Sequence, residues 1–153
     1  MEVVPIFAGL PQTPDAARGV MLLMSGTAQA LAAMNLKAED RAMVKETAKQ
    51  ICASLTPAKP EQIALEVEAL ALHYPAFNRT PQESRIANGH WLDDLEAWPV
   101  DLIQEACKRW RNSPERYFPT PGQLKALALD ELVARRSLAD RAASYLKLLE
   151  KAA

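Results

Sequence analysis

A chain of 153 residues with 18 basic and 19 acidic side chains, 24% charged and 49% hydrophobic, has the size and balance of a single globular domain. A formal net charge of −1 excludes a bulk polyelectrolyte binder, which needs a concentrated positive face. Five Gly, 11 Pro and two Cys exclude collagen-like, Gly-rich and disulfide-scaffold classes.

The 27 Ala and 20 Leu outweigh 7 Val and 5 Ile, and straight-chain and small residues favour helix over strand. The composition predicts an all-α protein, a compact bundle of about five to six helices ending in a long C-terminal helix. Residues 1–12 read as a Pro-containing N-terminal arm. Three Thr-Pro pairs then mark helix starts, at Thr13-Pro14, Thr80-Pro81 and Thr120-Pro121. Threonine accepts from free amides of the first turn, and proline suits a position whose N–H has no partner. Glu83 and Gln123, each three residues after its threonine, complete capping boxes at the second and third sites.

The first helix is expected from 14 to 34, weakened by Gly19 and Gly26. A second, from 37 to 54, places Met43, Ala48 and Ile51 on an apolar stripe. After the connector Thr56-Pro57-Ala58-Lys59-Pro60, a third carries Ile63, Val67, Leu70 and Tyr74 at helical spacing and stops before Pro75. A fourth runs from 81 to 97 and a fifth from 99 to 112, divided by Pro99. The last pattern starts at Pro121 and continues almost to the end of the chain. The organisation expected is therefore an arm over 1–12, a helical domain over 13–136 and a C-terminal helix extension over 137–153.

Gly19 to Leu36 carries no charge, but Ser25, Gly26, Thr27, Gln29 and Asn35 dilute its apolar content and no basic segment precedes it. Neither a spanning helix nor a signal peptide fits, and the expected setting is the cytoplasm of a bacterial host cell. Cys52 and Cys107 stand apart without a CxxC partner and read as small buried hydrophobes in a reducing compartment, with one disulfide as the alternative.

Several side-chain groupings carry chemical meaning. Tyr74, Phe77, Trp91, Trp98, Trp110, Tyr117 and Phe118 crowd the middle of the chain. Trp91, Leu95 and Trp98 share one helical face, and Val100, Ile103, Cys107 and Trp110 share another, so the two stripes can pack together. Charge is locally polarised. Glu83 to Glu105 holds six acids against Arg85, whereas Lys108, Arg109, Arg111 and Arg116 face only Glu115. Helix electrostatics accounts for part of this, and a basic patch for phosphate, extended by Lys125, is the sharper reading. His90 and Asp94 have metal-ligand spacing without a third ligand, which favours a partly buried histidine over a metal site. Asp93 and Asp94 diverge by about a hundred degrees on a helix and do not converge as acid and base. The chain lacks GxGxxG, GxxxxGK[ST], GxSxG and HExxH, so no cofactor is expected and a non-enzymatic role is favoured.

The C-terminal stretch has two readings. Leu138, Arg141, Tyr145, Leu148 and Leu149 can form a partner-binding amphipathic helix, or the segment can fold back as one more bundle helix.

Residues 74–127 carry a longer pattern. Tyr74-Pro75 is followed by Phe77, then Trp91 and Leu95 four apart, then Val100, Ile103 and Ala106. A basic stretch leads to Phe118-Pro119-Thr120-Pro121 and on to Leu124 and Leu127. This third of the chain resembles phage replicative-helicase loader families, both the loader and inhibitor proteins of Gram-positive phages and the lambda-type replication P proteins. The resemblance implies a helical, non-hydrolysing accessory protein that grips the host hexameric replicative helicase and regulates its loading. Trp91, Leu95, Phe118 and Pro119 would then build the fold, and the helix from Leu138 to Leu149 would touch the helicase. The alternatives are a DNA-binding regulator using Lys108, Arg109, Arg111, Arg116 and Lys125, and a phage-encoded inhibitor of a host machine such as an anti-defence protein.

Overall fold

A computed structural model describes residues 13–75 and 78–152; the expected arm over 1–12 and Phe77 lie outside the described residues. The fold is all-α, with no strand among the described residues. Its helices are α1 (Pro14–Met24), α2 (Ala28–Ala33), α3 (Ala38–Ala53), α4 (Pro60–Ala71), α5 (Pro81–Leu95), α6 (Val100–Arg111), α7 (Pro121–Ala126) and α8 (Leu129–Ala152).

All three Thr-Pro starts form as their chemistry requires. The hydroxyl of Thr13 accepts from the Ala16 amide at 3.2 Å. Thr80 accepts from the Glu83 amide at 3.2 Å while the Glu83 carboxylate accepts from the Thr80 amide at 2.8 Å. Thr120 and Gln123 repeat that reciprocal pair at 3.3 and 2.9 Å.

The helix count exceeds the expected five to six because two predicted helices are each broken. The first stops at Ser25, whose hydroxyl donates to the Leu22 carbonyl at 2.7 Å, and restarts at Thr27, which accepts from the Ala30 amide at 3.0 Å. Serine, glycine and threonine in a row favour a cap over continuation. The last pattern breaks at Leu127–Ala128, where the amides turn back three residues to Leu124 and Lys125. Arg109 of α6 donates a guanidinium N–H to the Leu127 carbonyl. In a continuous helix that carbonyl would accept the amide four residues on.

The chain divides into two units, and the division differs from the one read in the sequence. Unit 1 combines residues up to Thr56 with Val133 onward, and unit 2 runs from Pro57 to Leu132. The boundary expected at 136/137 therefore gives way to one at 132/133, with a second at 56/57.

In unit 1 the core is built by Val20 and Leu23 of α1, Ala28 and Leu31 of α2, Val44, Ala48 and Ile51 of α3, and Leu138, Ala139, Ala142 and Tyr145 of α8. Val44, Ala48 and Ala142 are wholly buried. α1 and α3 approach closely because Gly19 has no side chain. A Cβ placed there would lie 2.3 Å from Oγ1 and 2.7 Å from Cβ of Thr47. The buried Arg135 of α8 donates to the carbonyl of Ser54 at 3.1 Å, meeting the negative end of α3 with a cation.

In unit 2, α4 packs on α5 and α6, and α7 packs on α5 and α6. The two expected stripes do meet the interior. Trp91, Leu95 and Trp98 are buried, as are Ile103, Cys107 and Trp110. Leu70 and Leu124 are completely enclosed.

Two glycines in helices should respond with opposite signs to the same substitution. Gly19→Ala forces a Cβ into Thr47 and should lower stability by about 1–3 kcal/mol. Gly89→Ala places its Cβ where nothing lies within 4 Å and should raise stability by about 0.5–1 kcal/mol. Urea denaturation of the two variants measures both.

Candidate functional site

The C-terminal residues expected to meet a partner lie largely inside unit 1. Leu138 is 6% exposed and Tyr145 1% exposed. Leu148 and Leu149 are partly buried and pack against the same core. Arg141 donates to the carbonyl of Met24 at 3.1 Å, closing the end of α1. The reading of this helix as a free contact surface is thus corrected: the segment folds back, because Tyr145 and its neighbours supply apolar area that α1 to α3 alone do not provide. Burial raises the Tyr145 hydroxyl pKa against an opposing effect from Arg41.

The basic residues of unit 2 separate into two groups. Arg109 is held by the Glu131 carboxylate at 2.5 Å, the Glu105 carboxylate at 3.2 Å and the Leu127 carbonyl, so it is a structural link and not a free cation. Its pKa is raised, first by the hydrogen bond to Glu131. Lys108, Arg111 and Arg116 are exposed and Lys125 half-buried. Lys108 and Arg111, three apart, share one face of α6.

His90 and Asp94 are both exposed, which corrects the expectation of a partly buried histidine. Among the described residues no group of three His, Cys, Asp or Glu is placed to hold a metal ion. Cys52 and Cys107 are free thiols belonging to different units. Cys52 Sγ faces the Ala139 carbonyl at 3.8 Å, and burial followed by Asp140 raises its pKa. Cys107 is buried, and desolvation pushes its thiol up to about 11.

The aromatic residues form two contacts groups in unit 2. The Phe118 ring lies 5.5 Å from Trp91 and 6.3 Å from Tyr74. Tyr117, its neighbour in sequence, turns the other way and sits edge-on against Trp110 at 5.6 Å. Beside the first group is an open groove of about 480 Å³, lined by Val67, Leu72, Tyr74, Trp91 and Phe118 with Glu68, Arg79, Ser84 and Asn88 as polar members. Pro75 and Pro119 restrict the backbone around it.

One surface escaped the sequence reading. Met21, Met24 and Met34 are 70%, 56% and 47% exposed. They lie in the uncharged run Gly19 to Leu36. The missing signal was the stripe itself: Val20, Leu23, Ala28 and Leu31 turn inward, leaving the methionines outward. No described helix is long and apolar enough to cross a membrane.

These features describe an all-helical protein with exposed methionines on one unit and an aromatic-lined groove on the other. Comparison with known protein families, with curated proteins and with solved structures finds no match for the chain.

Two outcomes distinguish a structural from a contact role here. Tyr145→Ala should cost about 3–5 kcal/mol in chemical denaturation, as truncation of a buried aromatic does. A thiol whose pKa rises on folding stabilises the fold only while protonated. The contribution of Cys107 is therefore complete below its ordinary value of 9.0 and is lost as the pH climbs toward about 11. Cys107→Ala should flatten that alkaline decline, measured by denaturation at stepped pH.

Proposed function

We propose that the protein is a non-enzymatic, phage-type replication accessory factor that binds the host hexameric replicative helicase and regulates its loading. The observation that carries this reading is the coherence of residues 74–127. The residues of the loader-like pattern fall within unit 2, where Phe118 packs against Tyr74 and Trp91 and where Leu95, Ile103, Ala106 and Leu124 are buried. Members of the pattern that meet in space form one folding module, as the helical domain of the resembled families would require.

The contact is reassigned from the C-terminal helix to the α1–α2 face. Tyr145 and Leu138 are committed to the core, whereas Met21 and Met24 stand outward three residues apart on α1. Methionine is polarizable and conformationally adaptable, and suits a surface that docks on another protein.

Light scattering coupled to size-exclusion chromatography tests the proposal, with the full chain alone and mixed with a bacterial host's replicative helicase. A co-eluting complex is expected. Met21→Glu combined with Met24→Glu should weaken it at least about tenfold, since charges must then be desolvated at the contact. Separate elution of the unaltered protein and the helicase at micromolar concentrations overturns the helicase reading. An intact complex with the double variant overturns the contact face alone.

A further inference from the structure

Tyr117 is the one aromatic among the large exposed hydrophobic residues described, at 46% exposure, while the three tryptophans are buried. It is held in place on three sides. The indole N–H of Trp110 donates to the Tyr117 carbonyl at 3.0 Å and pins its backbone. The Trp110 ring meets it edge-on, with ring planes 72° apart, and Gln123 of α7 donates to its hydroxyl at 3.3 Å. Those contacts use the carbonyl, one side of the ring and the hydroxyl, and leave ring surface open to solvent. A ring fixed in this way loses little freedom when something stacks on it.

Cations lie near this ring along the chain. Arg116 precedes it in sequence and is exposed. Lys108 and Arg111 lie on either side of Trp110 in the sequence of α6, and both are exposed. Lys125 follows Gln123 by two residues on α7. From Lys108 to Lys125 the only acid is Glu115, and Arg109 is taken up by Glu131 and Glu105. The positive charge here is thus carried by side chains other than the clamped arginine.

A preorganised aromatic surface among exposed cations matches the chemistry of an unpaired nucleic-acid strand. Its bases offer flat faces for stacking and its phosphates offer charge on either side, whereas a duplex hides its base faces within the stack. We infer that Tyr117 with Lys108, Arg111 and Arg116 forms a contact site for single-stranded nucleic acid, one base stacking on the ring and adjacent phosphates meeting the cations. This site is built from residues of unit 2 and does not depend on the helicase reading.

Fluorescence anisotropy of the full chain with a labelled oligothymidylate, its oligouridylate counterpart and a duplex, each about twenty nucleotides long, tests this without any helicase present. Binding of the single strands is expected to fall about 20-fold between about 50 and about 200 mM salt, as for roughly three phosphate contacts. Tyr117→Leu keeps apolar contact with Trp110 but removes the stacking face, and should weaken binding about 5- to 100-fold. Tyr117→Phe should bind like the parent. Arg111→Glu with Arg116→Glu should weaken binding and flatten the salt dependence, and unchanged far-ultraviolet circular dichroism shows that the variants remain folded. Tighter binding of oligouridylate than oligothymidylate would identify the strand as RNA, and the reverse as DNA. No strand binding at the lower salt, no effect of Tyr117→Leu in a folded variant, or equal affinity for the duplex would each overturn the site.

Discussion

The arrangement of the C-terminal half turns on one guanidinium. Arg109 sits at the end of α6, donates to the Leu127 carbonyl and pairs with Glu131. Diverting the carbonyl and the carboxylate to the same cation ends α7 and opens α8, since Leu127 no longer serves the helix that its neighbours would continue. A charge-assisted interaction of this kind is stronger than the neutral bond it replaces. Beginning where it does, α8 supplies Leu132 to unit 2 and Leu138, Ala142 and Tyr145 to unit 1. The most basic stretch of the chain is therefore partly structural, and its surface chemistry belongs to Lys108, Arg111 and Arg116.

Unit 1 is organised by closeness. Gly19 lets α1 lie against Thr47, and Val44, Ala48 and Ala142 enclose small apolar groups at full burial. Small residues bring backbones together and gain dispersion contacts at short range, but they bury little area each. Tyr145 contributes the bulk that they lack. This division of labour leaves the larger flexible side chains of α1, Met21 and Met24, on the outside.

Unit 2 is organised by aromatic residues. Tyr117 and Phe118 are adjacent yet serve opposite surfaces, one against Trp110 and the other against Trp91 and Tyr74. Extended backbone alternates its side chains, and Pro119 holds the segment out of a helix until Thr120 caps α7. The result gives one unit both an apolar groove and a basic, stacking-competent edge.

The local instructions were legible in the chain. Each Thr-Pro start, the end of α4 before Pro75 and the stripes through Ile63–Leu70 and Trp91–Trp98 follow from capping and periodicity, which act over a few residues. The sites were less legible. Arg109 looked like its neighbours Lys108 and Arg111 until Glu131, remote in sequence, claimed it. Leu138 and Tyr145 had the spacing of either a contact helix or a core helix, and only the faces of α1 and α3 available to cover them decided for the core. In the uncharged run through Met21 and Met24, the stripe Val20, Leu23, Ala28 and Leu31 was the one sign of which side would face inward. The sequence by itself determined the helical class and most helix starts, because those depend on neighbouring backbone groups. The tertiary structure alone decided the division into units, the break at Leu127, and which cations and apolar residues stay exposed, because each depends on partners brought together from distant positions.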